Sequence, residues 1–306
     1  MKKLYIILLL SFSLIANDTN TTKLTDEQLS DRVLYTNLVG AGVVTLWGVA
    51  FWDYFSQTPK FDQEHWFQND TAYGGADKFG HLYSTYLWSL GFSSLYESWG
   101  MNHDDATLNG TVTSWTFQAI MELGDSFSDS YGFSYEDFIM NTVGAGFYYL
   151  REMNPSLKEK VDLRCEYVPN FQGNTDFFSQ YNSMKYLIAL KGSGFDATKS
   201  SWLKYTELHL GYYTRGYQNP DLYEAAPSNG NYHKVNTAGD LVHTERVIYM
   251  AIGISISELL NKAGWTKTGS VFNYVQLPGT YIPFGYDADS RSYVAPYSRP
   301  YFGYTK

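Results

Sequence analysis

The chain has 306 residues, enough for one large domain or two modest ones around a sizeable core. A net charge of −9 and a pI near 5.1 argue against nucleic acid, or an anionic lipid headgroup, as the principal partner. Aromatic residues reach 18 %, with 28 Tyr and 8 Trp, while charged residues are only 17 %, a balance that suits either a membrane interface or a Tyr-rich soluble sheet.

In chain order, Lys2-Lys3 precede the apolar run Leu4 to Ile15, and Ala16 supplies a small residue before the polar Asn17-Asp18-Thr19-Asn20. That layout is a secretory signal peptide over 1–16, too short for a comfortable membrane span. It predicts export to the periplasm or outer membrane of a Gram-negative bacterium. No cysteine follows the signal to accept a lipid, and the sole cysteine, Cys165, excludes an intramolecular disulfide. Residues 17–32 read as a polar linker.

A helical bundle is expected over 33–155. Val33 to Phe55 is long enough to cross a bilayer, but Thr36, Asn37 and Thr45 interrupt it, and a buried bundle helix is the expected placement. The second helix runs from Asp77 to about Trp99 and sets Asp77, His81, Ser84 and Thr85 on one face. A third, from Asp104 to about Phe127, does the same for Trp115, Gln118, Glu122 and Asp125. Ser134 opens the fourth, with Asp137 in a capping-box position and Asp137, Asn141, Gly144 and Tyr148 along one stripe.

Over 156–306 the period changes to two. Ile248, Met250, Ile252, Ile254 and Ile256 alternate with Tyr249, Ala251, Gly253, Ser255 and Ser257, which is strand patterning. Met184 to Lys191, Trp202 to Tyr217 and a weaker Ser270 to Leu277 read as further strands. Glu207, His209 and Arg215 share a face that reads as solvated. Four or five strands are too few for a closed membrane barrel of about eight. The expected fold is therefore α+β, an N-terminal bundle of about four helices followed by a C-terminal antiparallel sheet of four or five strands, with one sheet face against the helices or the membrane.

Polar groups recur within the apolar helices, and a buried carboxylate or imidazole without a partner costs several kcal/mol, so such groups seek one another. The candidate polar centre is Asp77, Lys78, His81, Glu122, Asp125, Asp137 and Asn141. It can be a structural network; a catalytic pair of His81 with Glu122 or Asp125, with Lys78 stabilising an anion; or a cation site using His81 with Asp77, Glu122 or Asp125. One histidine among carboxylates is a weak zinc pattern, and no nucleophile elbow accompanies Ser84 or Ser134, so no cofactor or metal is expected. Asp-Lys-x-x-His at 77–81, Glu-x-x-Asp at 122–125 and Ser-x-x-Asp-x-x-x-Asn at 134–141 together resemble the YfiM-like family of predicted periplasmic lipoproteins. They are more distantly similar to VanZ-like envelope proteins. The resemblance covers about Gly74 to Tyr149 and implies a helical envelope module with this polar cluster and no established reaction.

The expected role is a non-catalytic structural protein of the outer membrane or periplasm, with the membrane as partner. The alternative is a hydrolase or transferase acting on a lipid or cell-wall intermediate through Asp77, His81 and Glu122. Processing tests the first step: N-terminal sequencing of the envelope form is expected to begin near Asn17, and an intact Met1 would overturn the signal assignment.

Overall fold

A computed structural model describes residues 24–69, 71–169, 180–217 and 244–295, with the backbone of three strands between 223 and 242. The signal peptide expected over 1–16, the first part of the linker and the Tyr- and Pro-rich tail ending at Tyr304 lie outside the described residues. The chain divides into two compact units, one from 1–63 with 84–154 and the other from 64–83 with 155–306.

The first unit is helical. Its opening helix, α1 (Asp26–Phe51), begins inside the expected linker. Thr25 explains why: its side chain accepts from the Gln28 N–H while the Gln28 side chain accepts from the Thr25 N–H, a reciprocal box that satisfies two free donors. Helix α2 (Ala76–Ser98) belongs to this unit from Ser84 onward. Asn102 caps α3 (His103–Asp125) by accepting from the Asp105 N–H at 3.0 Å. A short parallel pair, β1 (Phe61–Asp62) with β2 (Phe133–Ser134), precedes α4 (Tyr135–Met153). Ser134 caps α4, its Oγ accepting from the Asp137 N–H at 3.2 Å. Helices α2, α3 and α4 fall within a residue or two of expectation, whereas α1 starts seven residues before the expected Val33 and ends four before the expected Phe55.

The burial expected of α1 is not observed: only 6 % of its most apolar 18-residue window is buried. Leu34, Leu38, Val39, Val43, Leu46 and Val49 are exposed, whereas Leu29 and Gly48 are buried and Val33, Thr36, Asn37, Gly40, Ala41, Val44 and Thr45 are half-buried. Small and polar residues at helical spacing thus face inward, and large apolar residues face outward. The same inversion holds in α3, which buries Thr107, Gly110, Thr111, Thr113, Ser114, Gln118 and Glu122 and exposes Leu108, Val112 and Leu123. In α4, Asn141, Gly144 and Ala145 are buried and Ile139, Val143 and Leu150 exposed. Small residues let helix backbones approach closely where hydrocarbon outside offers no hydrophobic drive to associate.

The second unit is built on an antiparallel sheet. Helix α5 (Pro155–Lys160) leads into β3 (Val161–Tyr167), followed by β4 (Met184–Lys191), β5 (Thr206–Arg215), β9 (Glu245–Ile254), β10 (Tyr281–Asp287) and β11 (Ser292–Val294), ordered β11-β10-β9-β5-β4-β3. Three shorter strands, β6 (Tyr223–Ser228), β7 (Asn231–Val235) and β8 (Leu241–Val242), form a separate antiparallel sheet between β5 and β9. Two sequence expectations are corrected. The alternation of β9 stops at Ile254 because Ser255 accepts from the Glu258 N–H and starts α6 (Ile256–Lys262), so Ile256 is helical. Ser270 to Leu277 is not a regular strand: α7 (Thr266–Val271) occupies its start, and Val275 makes an isolated parallel bridge to Cys165.

That bridge curls the sheet. The Cys165 N–H donates to the Tyr274 carbonyl at 3.1 Å and the Gln276 N–H donates to the Cys165 carbonyl at 3.0 Å, so residues 274–276 run along the free edge of β3. The chain then enters β10, which sits near the opposite edge. In a flat sheet those positions would lie about 24 Å apart, at five spacings of ~4.8 Å. The run from Gln276 to Tyr281 spans at most about 17 Å. The sheet therefore bends back toward its own edge.

Gly48 lies against the Tyr54 ring, where an added Cβ would come within 2.0 Å of a ring carbon, while Gly42 has nothing within 4 Å. Gly48→Ala is expected to lower stability by about 1–3 kcal/mol through overpacking. Gly42→Ala is expected to be neutral or to gain about 0.5–1 kcal/mol from helix propensity. Thermal melts of the two variants in neutral detergent check the contrast.

Candidate functional site

The seven residues singled out in the sequence fall in both units. In the helical unit, Asn141 is the hub. Its Oδ1 accepts from Thr85 Oγ1 at 2.9 Å and its Nδ2 donates to Glu122 Oε1 at 3.3 Å. Ser114 Oγ donates to the Thr85 carbonyl at 2.9 Å, and Gln118 Nε2 donates to Ser84 Oγ at 3.0 Å. Asn37 Nδ2 and Tyr96 OH extend the seam by meeting Thr113 Oγ1 at 3.1 and 2.9 Å. Glu122, Asp137 and Asn141 are buried; Asp125 is half-buried. Glu136, which the sequence reading passed over, is completely buried at the positive end of α4, with Oε2 accepting from Ser134 Oγ at 3.4 Å.

Asp77, Lys78 and His81 open α2 and lie in the second unit. Lys78 is 1 % exposed, and its ammonium contacts Asp77 Oδ2 at 2.9 Å and also Glu64 Oε2. Two carboxylates around one buried ammonium are what charge burial requires. His81 is half-buried. Taken by itself, neither unit brings three His, Cys, Asp or Glu ligand atoms of described residues within metal-binding distance.

The larger polar grouping is one that sequence reasoning missed. The Glu207 and His209 face of β5 is buried rather than solvated, and Arg215 is half-buried. Arg164 on β3 grips Glu207 with both terminal nitrogens, at 2.7 and 2.8 Å, and reaches Asp162 at 2.6 Å and Gln276 Oε1 at 3.2 Å. Lys191 Nζ lies 2.9 Å from Asp162 Oδ1, and His209 Nε2 lies 3.1 Å from Glu207 Oε2. Farther along, Lys185 sits 3.3 Å from Glu166 and 3.2 Å from the Tyr281 hydroxyl, which itself donates to Glu166 at 2.7 Å. Small residues make room for these long side chains. Gly211 is one, since a Cβ there would come within 2.4 Å of the Tyr249 ring.

The signal for this interior was the alternation of Asp162, Arg164 and Glu166 with Val161, Leu163 and Cys165, a strand the sequence reading passed over, while the Glu207 and His209 face of β5 was assigned to the wrong side. The large apolar face is the outer one: Ile248, Met250, Ile252, Ile254, Leu208, Leu210, Ile282 and Phe284 are exposed, Met250 at 67 % and Phe284 at 69 %. Among the described residues this face is covered at one end, where Phe79 packs on Tyr212 at 5.3 Å and Tyr186 at 6.1 Å, and Phe67 on Tyr212 at 5.6 Å.

Burial pushes the Glu207 carboxyl up, but the His209 hydrogen bond and the Arg164 charge outweigh it and hold the group at about 2. Burial brings Lys185 down to about 8 against the pull of Glu166. Burial would lower Arg164, yet Glu207 and Asp162 raise it above its ordinary value. Paired cations and anions of this kind hold a sheet in register.

A helical unit with a polar interior and a curled sheet with an ionic one, following an export signal, define an α+β protein of the cell envelope. Residues 63–153 match the family described as predicted periplasmic lipoprotein (DUF2279), a description that names no reaction. The protein is exported to the periplasm or outer membrane of a Gram-negative bacterium. No curated protein and no solved structure matches the chain.

Arg164→Ala leaves Asp162 and Glu207 buried without their guanidinium and is expected to cost about 3–5 kcal/mol. Because Glu207 titrates below the ordinary carboxyl value of 4.5 in the folded chain, its stabilisation is complete above about pH 4.5 and is lost as pH falls toward 2. Melting temperatures measured across that window should fall, and Glu207→Gln should flatten that part of the profile.

Proposed function

We propose that this is a non-catalytic structural protein seated on the periplasmic side of the outer membrane, held there by its own apolar surface. One observation carries the reading: both units bury charged, polar or small residues and expose Leu, Ile, Val and Phe. An exposed apolar surface of this extent marks an interaction site, and a polar interior with an apolar exterior is the arrangement lipid demands. Helix α1 adds a segment long and apolar enough to cross a membrane. The motif similarity to YfiM-like and VanZ-like proteins supports the same setting.

Envelope fractionation tests the assignment. The protein is expected to stay with membranes through salt and carbonate washes and to band with the outer membrane. Recovery as a soluble periplasmic monomer overturns membrane seating, and banding with the inner membrane overturns the outer-membrane assignment alone.

The non-catalytic part has its own test. Glu122 is buried and paired with Asn141, so Glu122→Gln is expected to lose about 1–3 kcal/mol of stability, as is His81→Ala. An envelope-integrity assay should then track the amount of folded protein. Variants as stable as the parent that have lost function would favour a hydrolase or transferase using Asp77, His81 and Glu122.

A further inference from the structure

The ends of β3, β4 and β5 hold a feature at odds with the acidity of the chain. Lys158, Lys191, Lys199 and Lys204 line a cavity of about 490 Å³ together with Glu159, Glu258 and Ser193. Four lysines and two glutamates line it in a protein whose net charge is −9, and two of the four lysines hold carboxylates of their own, Lys191 with Asp162 and Lys199 with Asp196. Lys191 is anchored at the back, buried, with Nζ 2.9 Å from Asp162 and donating to the Lys158 carbonyl at 2.9 Å. Lys204 meets no carboxylate at salt-bridge distance among the described residues, and its ammonium lies 5.0 Å from the Tyr205 ring centre, with Lys262 5.4 Å from the same ring. Lys199 stands at the mouth, 57 % exposed, beside Asp196.

The surroundings of the cavity point to what enters it. Trp202 is 72 % exposed just before β5, and Leu203 and Phe195 are exposed beside it. Leu190 at the end of β4 and Leu208 at the start of β5 begin the exposed apolar band that Ile252 and Ile254 continue. Cations and Trp at the rim of an apolar band match the headgroup level of a bilayer, where the hydrocarbon begins on one side and phosphate lies on the other.

We infer that the lysine cavity binds the phosphate of an anionic lipid headgroup while the adjoining apolar band of β4, β5 and β9 contacts its acyl chains, an inference that rests on the membrane seating proposed above. The overall negative charge does not oppose it. At physiological ionic strength charges are screened beyond about 8 Å, so the lysines of the cavity, not the sum over the chain, decide what a headgroup meets.

Lysine acetylation of the full chain in neutral-detergent micelles, read residue by residue by mass spectrometry, tests the site. Phosphatidylglycerol added to the micelles is expected to protect Lys199 and Lys204 several-fold while leaving the exposed Lys267 unchanged. Phosphatidylcholine, without net charge, should protect them much less, and inorganic phosphate not at all. In vesicle flotation, the Lys199→Gln/Lys204→Gln variant should lose the preference for phosphatidylglycerol over phosphatidylcholine vesicles with retention on the latter unchanged. Absence of protection, or a variant that keeps the preference, overturns the headgroup site while flotation on phosphatidylcholine upholds membrane seating. Equal protection by inorganic phosphate replaces the lipid with a free anion. Failure to float on either vesicle overturns the seating itself.

Discussion

The two-pronged clasp of Glu207 by Arg164 governs the architecture of the sheet unit. A guanidinium and two carboxylates cannot leave water singly; each must bring a partner within about 3 Å, or the cost of burial exceeds what packing returns. Asp162 and Glu207 come from strands separated by β4, and Gln276 comes from the segment along the β3 edge. The small residues Ala189, Gly211, Ala251 and Gly253 on the same face leave room for the long charged side chains. Ion pairing and small side chains thus take the role that interlocking apolar side chains fill in a water-soluble sheet.

The helical unit reaches the same inversion by other means. Here the interior holds few charges and many hydroxyls and amides, joined as Asn37 to Thr113, Thr85 to Asn141 and Gln118 to Ser84. Each such bond is modest where water competes and costly to lose where it does not. Small side chains bring the backbones close enough for these short polar groups to meet. The Leu and Val residues on the outside contribute nothing to that packing and form an exposed apolar surface of the kind that marks an interaction site.

Much of this was legible in the sequence, and the parts that were not have distinct physical causes. Helices α2, α3 and α4 announced themselves through Asp77, the Asp104-Asp105 start and the Ser134 cap, because the chemistry of a helix start is local. Strands β4, β5 and β9 announced themselves through period-two alternation. Alternation, however, says only that two faces differ, not which one meets solvent. Applying the rule of soluble proteins put Glu207 and His209 outside and α1 inside, and both assignments inverted. The bridge at Val275 was hidden for a different reason: it depends on β3, more than a hundred residues earlier in the chain, and local pattern carries no trace of a distant partner. For the polar centre, residue types and their helices were readable, while the role of Asn141 as a hub depends on contacts that spacing alone does not specify.

The bridge between Cys165 and Val275 also sets the order in which the sheet can mature. Pairing of β3 with β4 and of β9 with β10 closes short or moderate loops, whereas the seal along the β3 edge closes a loop longer than a hundred residues and carries only two backbone hydrogen bonds. Until it forms, β3 offers an open row of backbone donors and acceptors, beside an outer face of Ile and Leu that water does not favour. The interval between arrival in the periplasm and that final seal is therefore when the chain is most exposed to mispairing with its own copies.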